Sequence, residues 1–179
     1  MKSTFLSFAV FITLISCGTK TQQPADANKE QTTPASDLMK ESPVYDPTAI
    51  DPNATVVEVV LKAQGNSMAE MKYDQTEIHV PAGSTIKLLF VNESTDNTML
   101  HNFVLIEEGS ADAVAKAGLA AGADKNYVPA SSKVLISTTV LNPKAKTELT
   151  FPAPEKGSYD FICSYPGHYQ KMNGKFIVD

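Results

Sequence analysis

Eight short runs of β-branched, aromatic and leucine residues constrain the fold of this chain more than any other feature of its sequence. Each run has four to seven residues, and breaks that contain Gly, Pro or Asn, such as Pro81-Ala-Gly83 and Asn142-Pro143, recur between them. The runs comprise residues 56–61, 76–80, 85–91, 101–106, 134–140, 147–151, 159–162 and 175–178. Short strands separated by turn signals are typical of a β-sandwich or a β-barrel. The pattern therefore predicts an all-β fold.

One segment between these runs has a different composition. Residues 110–121 are rich in alanine, the strongest helix former, and they begin with Ser110, a residue type that favours the helix N-cap. We therefore expect one short helix inserted between two strands.

The N-terminus carries the features of an export signal. Lys2 is followed by an apolar stretch of 11 residues, 5–15, which is too short to span a bilayer but is typical of a secretory signal peptide. The sequence Leu14-Ile15-Ser16-Cys17 resembles a bacterial lipobox. This resemblance implies that residues 1–16 are removed and that Cys17 is diacylated; a simple signal peptide cleaved nearby is the alternative. We expect a protein that is lipid-anchored to a bacterial membrane and faces the periplasm.

Residues 17–53 differ in composition from the rest of the chain. They contain five prolines among Thr, Gln, Ser and charged residues, with few large apolar side chains. Such a segment cannot bury enough apolar surface to offset the entropy lost on ordering. We therefore interpret residues 17–53 as a disordered tether and residues 54–179 as a single folded domain.

Three residues of metal-binding types lie within ten positions near the C-terminus, in the segment CSYPGHYQKM. These are Cys163, His168 and Met172, and Pro166-Gly167 turns the chain between them, so that the three side chains can converge. His101, which begins an apolar run, is the best candidate for a fourth ligand from a distant segment. Two imidazoles, a thiolate and a weak thioether form a ligand set typical of mononuclear electron-transfer copper. The residues therefore predict one copper ion as cofactor.

Each of these residues taken alone has a more ordinary interpretation. A single Cys or Met is usually a core residue, and a single His is usually exposed. The combination favours a metal site, because Cys163 has no disulfide partner once Cys17 is lipidated, and a bound metal would keep its thiol deprotonated. The third histidine, His79, lies on the outward phase of its run, and we expect it to be exposed to solvent.

The motif C-S-Y-P-G-H-x-x-x-M, with His101-Asn102-Phe103 upstream, resembles the azurin and auracyanin branch of the cupredoxins. Residues 118–128 are also similar to that family, and so is Gln64-Gly-Asn66 followed by Met71 and Tyr73. The resemblance implies an eight-stranded Greek-key β-sandwich that transfers single electrons through one type 1 (blue) copper ion.

The resemblance also assigns roles to individual residues. The implied copper ligands are His101, Cys163 and His168 in the equatorial plane and Met172 in the axial position. It further implies that Asn102 and Ser164 join the two ligand-bearing segments and support the thiolate.

Other functions fit the available residues less well. Copper oxidases and copper nitrite reductases need further His ligands, and only His79 is left over; a binuclear copper site needs a second Cys where Gly167 stands. We therefore predict that the protein is not an enzyme. A copper carrier that delivers the ion, which would need a more open site, is the main alternative. A structural domain without metal is a third possibility.

The surface around His168 is the expected docking site for redox partners, because a loop histidine should bring its ring edge to the surface. The predicted docking patch comprises Met71, Met99, Leu119, Ala120, Tyr165, Pro166 and Gly167. An apolar patch suits brief docking, and a cytochrome, an oxidase, a reductase or a photosynthetic reaction centre would each fit.

The formal net charge of −5 and the lack of a basic cluster argue against binding of nucleic acid. We expect the protein to be a monomer.

Overall fold

The computed structural model of the protein describes residues 45–179. Its strands are β1 (Val56–Gln64), β2 (Lys72–Tyr73), β3 (Glu77–Val80), β4 (Thr85–Asn92), β5 (Val104–Glu107), β6 (Val134–Ser137), β7 (Lys146–Pro152), β8 (Gly157–Ile162) and β9 (Asn173–Val178). Helix α1 (Ala111–Ala121) and a 3-10 turn (Ala123–Lys125) lie between β5 and β6. In the described part of the chain, no helix has the length and apolar character needed to cross a membrane. The predicted signal peptide, the lipidation site Cys17 and the predicted tether as far as residue 44 lie outside the described residues.

The strands form two sheets that enclose an apolar core. One sheet has the order β2-β1-β4-β7 and the other the order β3-β9-β8-β5-β6. Side chains alternate between core and solvent, as in β3, where Ile78 and Val80 are buried while Glu77 and His79 are exposed. The fully buried aromatic rings are those of Phe90, Phe103, Phe151, Phe161 and Phe176. The predicted all-β sandwich with one inserted helix is confirmed, and His79 is exposed as expected.

Three of the local differences from the prediction concern β2, β5 and the start of α1. Strand β2 was not predicted, because its two residues are too few to show an alternating pattern. The strand predicted at 101–106 begins three residues later, and His101 instead forms an isolated bridge with Leu141. Ser110 occupies the N-cap position of α1, but its hydroxyl donates a hydrogen bond to the carbonyl of Glu107 (2.6 Å) and does not cap the helix.

The two ends of the sandwich hold different structures. Strand β4 ends at Asn92, whose side-chain amide donates a hydrogen bond to the carbonyl of Leu141 (3.0 Å), the bridge partner of His101. We call this the site end. At the other end, which we call the far end, β4 begins opposite Pro152 of β7. The carbonyl of Pro152 accepts a hydrogen bond from the hydroxyl of Tyr45 (2.8 Å), so the first described residue is attached to the far end.

Candidate metal centre

Cys163 directly follows β8 and begins the loop that carries three of the predicted ligands. The backbone N–H of Cys163 donates to the carbonyl of Met172 (2.9 Å) and closes the loop at its base. Within the loop, the N–H of Met172 donates to the carbonyl of His168 (2.9 Å). Gly167 has a φ of 82°, in the left-handed region that favours glycine, and so permits the turn before His168. The closed loop holds all three predicted ligands in buried positions.

His101 comes from a separate segment, between β4 and β5. Its backbone exchanges two hydrogen bonds with Leu141, of 3.2 and 2.7 Å. Its ring Nδ1 lies 3.8 Å from the Sγ of Cys163 and 3.2 Å from the Nδ1 of His168. The third distance, from the Sγ of Cys163 to the Nδ1 of His168, is 3.7 Å. The three atoms thus form a nearly equilateral triangle.

The dimensions of this triangle fit a metal ion. With sides of 3.2, 3.7 and 3.8 Å, the point equidistant from the three atoms lies about 2.1 Å from each, and nitrogen and sulfur ligands bind a first-row metal such as zinc at roughly 2.0 to 2.3 Å. Among the described residues, His101, Cys163 and His168 form the cluster with the spacing of metal ligands. Two imidazoles with one thiolate suit copper, and the buried Met172 supplies a thioether in the same loop.

The three clustered side chains differ in their protonation. Burial lowers the pKa of His101 to about 4, with a further decrease from the nearby His168, and burial likewise lowers the pKa of His168 to about 4. Both rings are therefore neutral at pH 7 and can bind a metal without losing a proton. Burial raises the pKa of the Cys163 thiol to about 12, although hydrogen bonds from the backbone of Asn102 and Tyr165 act in the opposite direction. Metal binding must therefore displace the thiol proton.

Asn102 joins the two ligand-bearing segments. Its side-chain amide donates to the hydroxyl of Ser164 (2.9 Å), and its side-chain carbonyl accepts the backbone N–H of Ser164 (2.9 Å). Its backbone carbonyl accepts a hydrogen bond from the hydroxyl of Tyr73 (2.7 Å), which lies in the unpredicted strand β2. Because Asn102 follows His101 and Ser164 follows Cys163, these bonds couple the positions of two clustered side chains.

Comparison with known proteins identifies the family. A model of the copper-binding proteins of the plastocyanin/azurin family matches residues 57–179. The chain belongs to this family.

Individual relatives of this cupredoxin include auracyanins and azurins. The chain is 40% identical to auracyanin-A of Chloroflexus aurantiacus over 118 residues, which cover 64% of this chain and 72% of that protein. It is 31% identical to azurin of Pseudomonas chlororaphis over 124 residues, which cover 65% and 97% of the two chains. The solved structure of auracyanin A, a blue copper protein of Chloroflexus aurantiacus, matches with a TM-score of 0.62 at 37% identity and covers 69% of this chain and 99% of that one.

Membership of the plastocyanin/azurin family confirms several predictions from the sequence. The cofactor is copper, and the fold is that of the cupredoxins. Cupredoxins such as azurin and auracyanin are electron carriers and not enzymes, as predicted for this chain.

The predicted docking patch of this cupredoxin is only partly exposed. Its accessible members are the exposed Leu119, Ala120 and Gly167 and the half-buried Tyr165 and Pro166. Met71 and Met99 are buried, with 3% and 5% of their surface exposed, so the prediction is wrong for these two residues. Met71 packs within the main core, and the carbonyl of Met99 accepts a hydrogen bond from the buried side chain of Asn92 (2.9 Å), which keeps this segment under the surface.

His168 is also more enclosed than predicted, since only 1% of its surface is exposed. The ring of Tyr165 lies beside it, with 4.8 Å between ring centroids. Met68, which was not predicted, contributes exposed apolar surface here: it is 47% exposed, and its Cε lies 3.3 Å from the position that a Cβ would take on Gly167. No sequence signal marked Met68, because it lies outside every periodic apolar run. We call Met68, Pro166 and Gly167 the apolar rim.

Proposed function

We propose that this cupredoxin transfers single electrons through one type 1 copper ion. The residues that would hold the ion are His101, Cys163, His168 and Met172. The observation that carries the proposal is the buried triangle of two imidazole nitrogens and one sulfur, with sides of 3.2 to 3.8 Å. A copper ion held by such a set would supply one-electron chemistry between its Cu(I) and Cu(II) states.

The chain's own residues contribute rigidity and a suitable mixture of donors. The sulfur atoms of Cys163 and Met172 favour the reduced ion, whereas imidazoles suit both oxidation states. Hydrogen bonds between Asn102 and Ser164 tie the two ligand-bearing segments together, so the ligand positions need to change little when an electron arrives or leaves. Burial of the ligands keeps water away from the site.

The enclosure of the site favours electron transfer over delivery of copper to another protein. A carrier must open its site to hand over the ion. Here every proposed ligand has at most 1% of its surface exposed. The ligands also come from two segments joined by side-chain hydrogen bonds, so release of the ion would require these segments to separate.

The apolar rim is the proposed entry and exit point for electrons. Met68 and Gly167 are exposed and Pro166 is half-buried, and all three lie at or beside the loop that carries His168. Leu119 and Ala120 are proposed to extend this surface. The preceding Gly118 lies against the backbone of Tyr127, whose ring packs on Tyr165 beside His168. An apolar surface suits brief docking of a monomer to a cytochrome, an oxidase, a reductase or a reaction centre.

We also propose that Cys17 is lipidated and anchors the chain to the periplasmic side of a bacterial membrane. The lipobox-like sequence before Cys17 supports this proposal. The position of Tyr45 at the far end also supports it, because the seven residue steps of β4 separate the far end from the site end by about 23 Å. A tether that leaves from the far end would keep the site end free for partners.

The lipid anchor is tested by fractionating cells that produce the full-length chain. Cys17→Ala should move the protein from the membrane fraction to the soluble fraction, because it removes the acylated sulfur. A variant that stays as firmly membrane-bound as the wild type would contradict the lipid anchor.

Electron transfer is tested by repeated redox cycles of the copper-loaded protein in the presence of a copper chelator. We expect the thiolate-to-Cu(II) charge-transfer band to disappear on reduction and return fully on oxidation, with one electron exchanged per chain. Transfer of copper to the chelator in either state would contradict the proposal and favour ion delivery.

A further inference from the structure

Two consecutive residues between α1 and β6 adopt a left-handed backbone conformation. Asn126 has a φ of 53° and Tyr127 a φ of 56°. Residues other than glycine rarely adopt this conformation, and a bulky residue such as tyrosine does so least readily. Backbone conformations of this kind persist where surrounding contacts enforce them, and they are concentrated at functional sites. The contacts of this turn therefore indicate what it does.

Asn126 contacts both sides of the segment that holds His101. Its backbone carbonyl accepts a hydrogen bond from the side-chain amide of Asn102 (3.0 Å), the residue after His101. Its side-chain carbonyl accepts the backbone N–H of Val140 (3.0 Å), the residue before Leu141. Because Leu141 is the bridge partner of His101, Asn126 holds both chains of that bridge.

Tyr127 contacts the other ligand-bearing segment. Its ring packs edge-on against the ring of Tyr165, with 5.1 Å between centroids and an angle of 77° between ring planes. The ring of Tyr165 in turn lies 4.8 Å from that of His168. A Cβ on Gly118 of helix α1 would collide with the carbonyl oxygen of Tyr127, so the glycine allows the helix to support the turn directly.

We propose that the left-handed turn Asn126–Tyr127 is a clamp that positions the copper ligands. Asn126 positions the segment of His101, and Tyr127 positions the loop of His168. The clamp keeps the two segments at one separation when the charge of the site changes. This inference rests on the ligand set of the proposed function, and both residues are positioning residues because neither touches the three clustered donor atoms.

The clamp is tested with variants that separate the side chain of Asn126 from its backbone conformation. Asn126→Ala removes the acceptor for Val140 and disfavours the left-handed turn, Asn126→Gly removes only the acceptor, and Asn126→Asp keeps both features. In the copper-loaded full-length chain we expect Asn126→Ala to shift the charge-transfer band and to release copper to a chelator more than tenfold faster, because it loses one hydrogen bond, which alone corresponds to about tenfold, and also disfavours the turn. Asn126→Asp should keep the band position and the release rate of the wild type. Asn126→Gly should give values between those of the wild type and of Asn126→Ala.

A control variant distinguishes positioning from ordinary loss of stability. Val80→Ala removes buried apolar atoms from the end of β3 and should lower the melting temperature without changing the band or the rate of copper release. If Asn126→Ala behaves like Val80→Ala, with a lower melting temperature and an unchanged copper site, the clamp is overturned. The same comparison applies to Asn126→Gly if Asn126→Ala does not fold.

A second readout does not depend on the metal. In the copper-free protein, the amide hydrogen of Val140 should exchange with solvent about tenfold faster in Asn126→Gly than in the wild type. Equal exchange rates would overturn the clamp. A wild-type protein without a charge-transfer band would instead contradict the proposed ligand set, and the exchange measurement would still decide whether the turn holds the segment of His101.

Discussion

The histidines of the described chain lie in two opposite environments. His101 and His168 are buried with their Nδ1 atoms 3.2 Å apart, and burial lowers the pKa of each to about 4. His79 is exposed and lies 2.7 Å from a carboxylate oxygen of Glu77 and 3.1 Å from one of Asp179. Hydrogen bonds to these two carboxylates raise the pKa of His79.

The comparison shows why one pair of histidines suits a metal and the other histidine does not. A metal needs a free nitrogen lone pair, which His101 and His168 retain because burial keeps them neutral. The carboxylates beside His79 favour its protonated form, and the resulting surface ion pairs contribute little to stability. Residue type alone therefore does not identify a ligand; burial and the neighbouring charges do.

The largest effect is expected from removing the proposed thiolate. Cys163→Ser should abolish the charge-transfer band, because a serine hydroxyl cannot supply the sulfur orbital that produces it. His79→Ala is the matched control and should retain the full band. A Cys163→Ser variant that still shows the band in the absorption spectrum would remove Cys163 from the site.

A smaller effect is expected at Met172, the buried methionine of the ligand loop. Met172→Leu should leave the protein blue and raise its reduction potential, because loss of a weak thioether donor destabilises Cu(II) more than Cu(I). Met71→Leu makes the same substitution elsewhere in the buried core and should leave the potential unchanged. Both potentials are measured by redox titration; equal potentials in the two variants would mean that Met172 is not a copper ligand.

Opposite pH dependences are expected for the stability of the copper-free protein. The folded-state pKa values of His101 and His168 lie below the ordinary value of 6.5, so the unfolded chain takes up protons first as the pH falls. The contribution of these two neutral rings to the free energy of unfolding is therefore fully present above pH 6.5. It decreases as the pH falls towards 4, by at most about 1.4 kcal/mol per pH unit for each ring. His79 has a raised pKa, so its contribution is present below pH 6.5 and disappears as the pH rises through that pKa.

Denaturant unfolding at a series of pH values separates the two histidine environments. His79→Gln should remove only the contribution that disappears at higher pH, and the loss of stability between pH 6.5 and pH 4 should remain. If stability were constant between pH 6.5 and pH 4 in the wild type, the two buried rings would not be held neutral by the fold.

The smallest effect is expected at the docking surface. Leu119→Lys should leave the spectrum and the potential unchanged but slow electron self-exchange at low salt, because two like charges would meet across the contact between two copies. Salt should restore part of the rate, since screening at about 0.15 M acts over roughly 8 Å. Ile50→Lys is the control variant. It places the same charge on another exposed apolar residue, close in sequence to Tyr45, and should not slow self-exchange. Self-exchange is measured by NMR line broadening in mixtures of the oxidised and reduced protein, and equal rates for both variants at every salt concentration would place docking elsewhere.

The sequence predicted features that depend on local patterns. Eight strands and the helix were predictable because alternating apolar residues and alanine-rich segments carry their own signal. The burial of Met71 and Met99 was not predictable, since an isolated methionine outside a periodic run gives no indication of the face on which it lies. Strand β2 was missed for the same reason, because its two residues show no period.

The site depends partly on contacts between distant residues. The residue types of the copper ligands were evident from the sequence, but the position of His101 in a bridge with Leu141 depends on pairing across 40 residues. The hydrogen bond from the side chain of Asn102 to the carbonyl of Asn126 likewise joins residues that lie 24 positions apart. No local pattern encodes such pairings.

The most direct test of the proposed copper site is a titration of the copper-free protein with Cu(II) at pH 7, in which absorption and proton release are recorded together. Cys163 is the clustered side chain that carries a displaceable proton at this pH, since the pKa of its thiol is about 12 while those of His101 and His168 are about 4. We predict that the charge-transfer band saturates at one copper per chain with release of one proton. Saturation with no proton released, or with two or more, would contradict a site built from two neutral imidazoles and one protonated thiol.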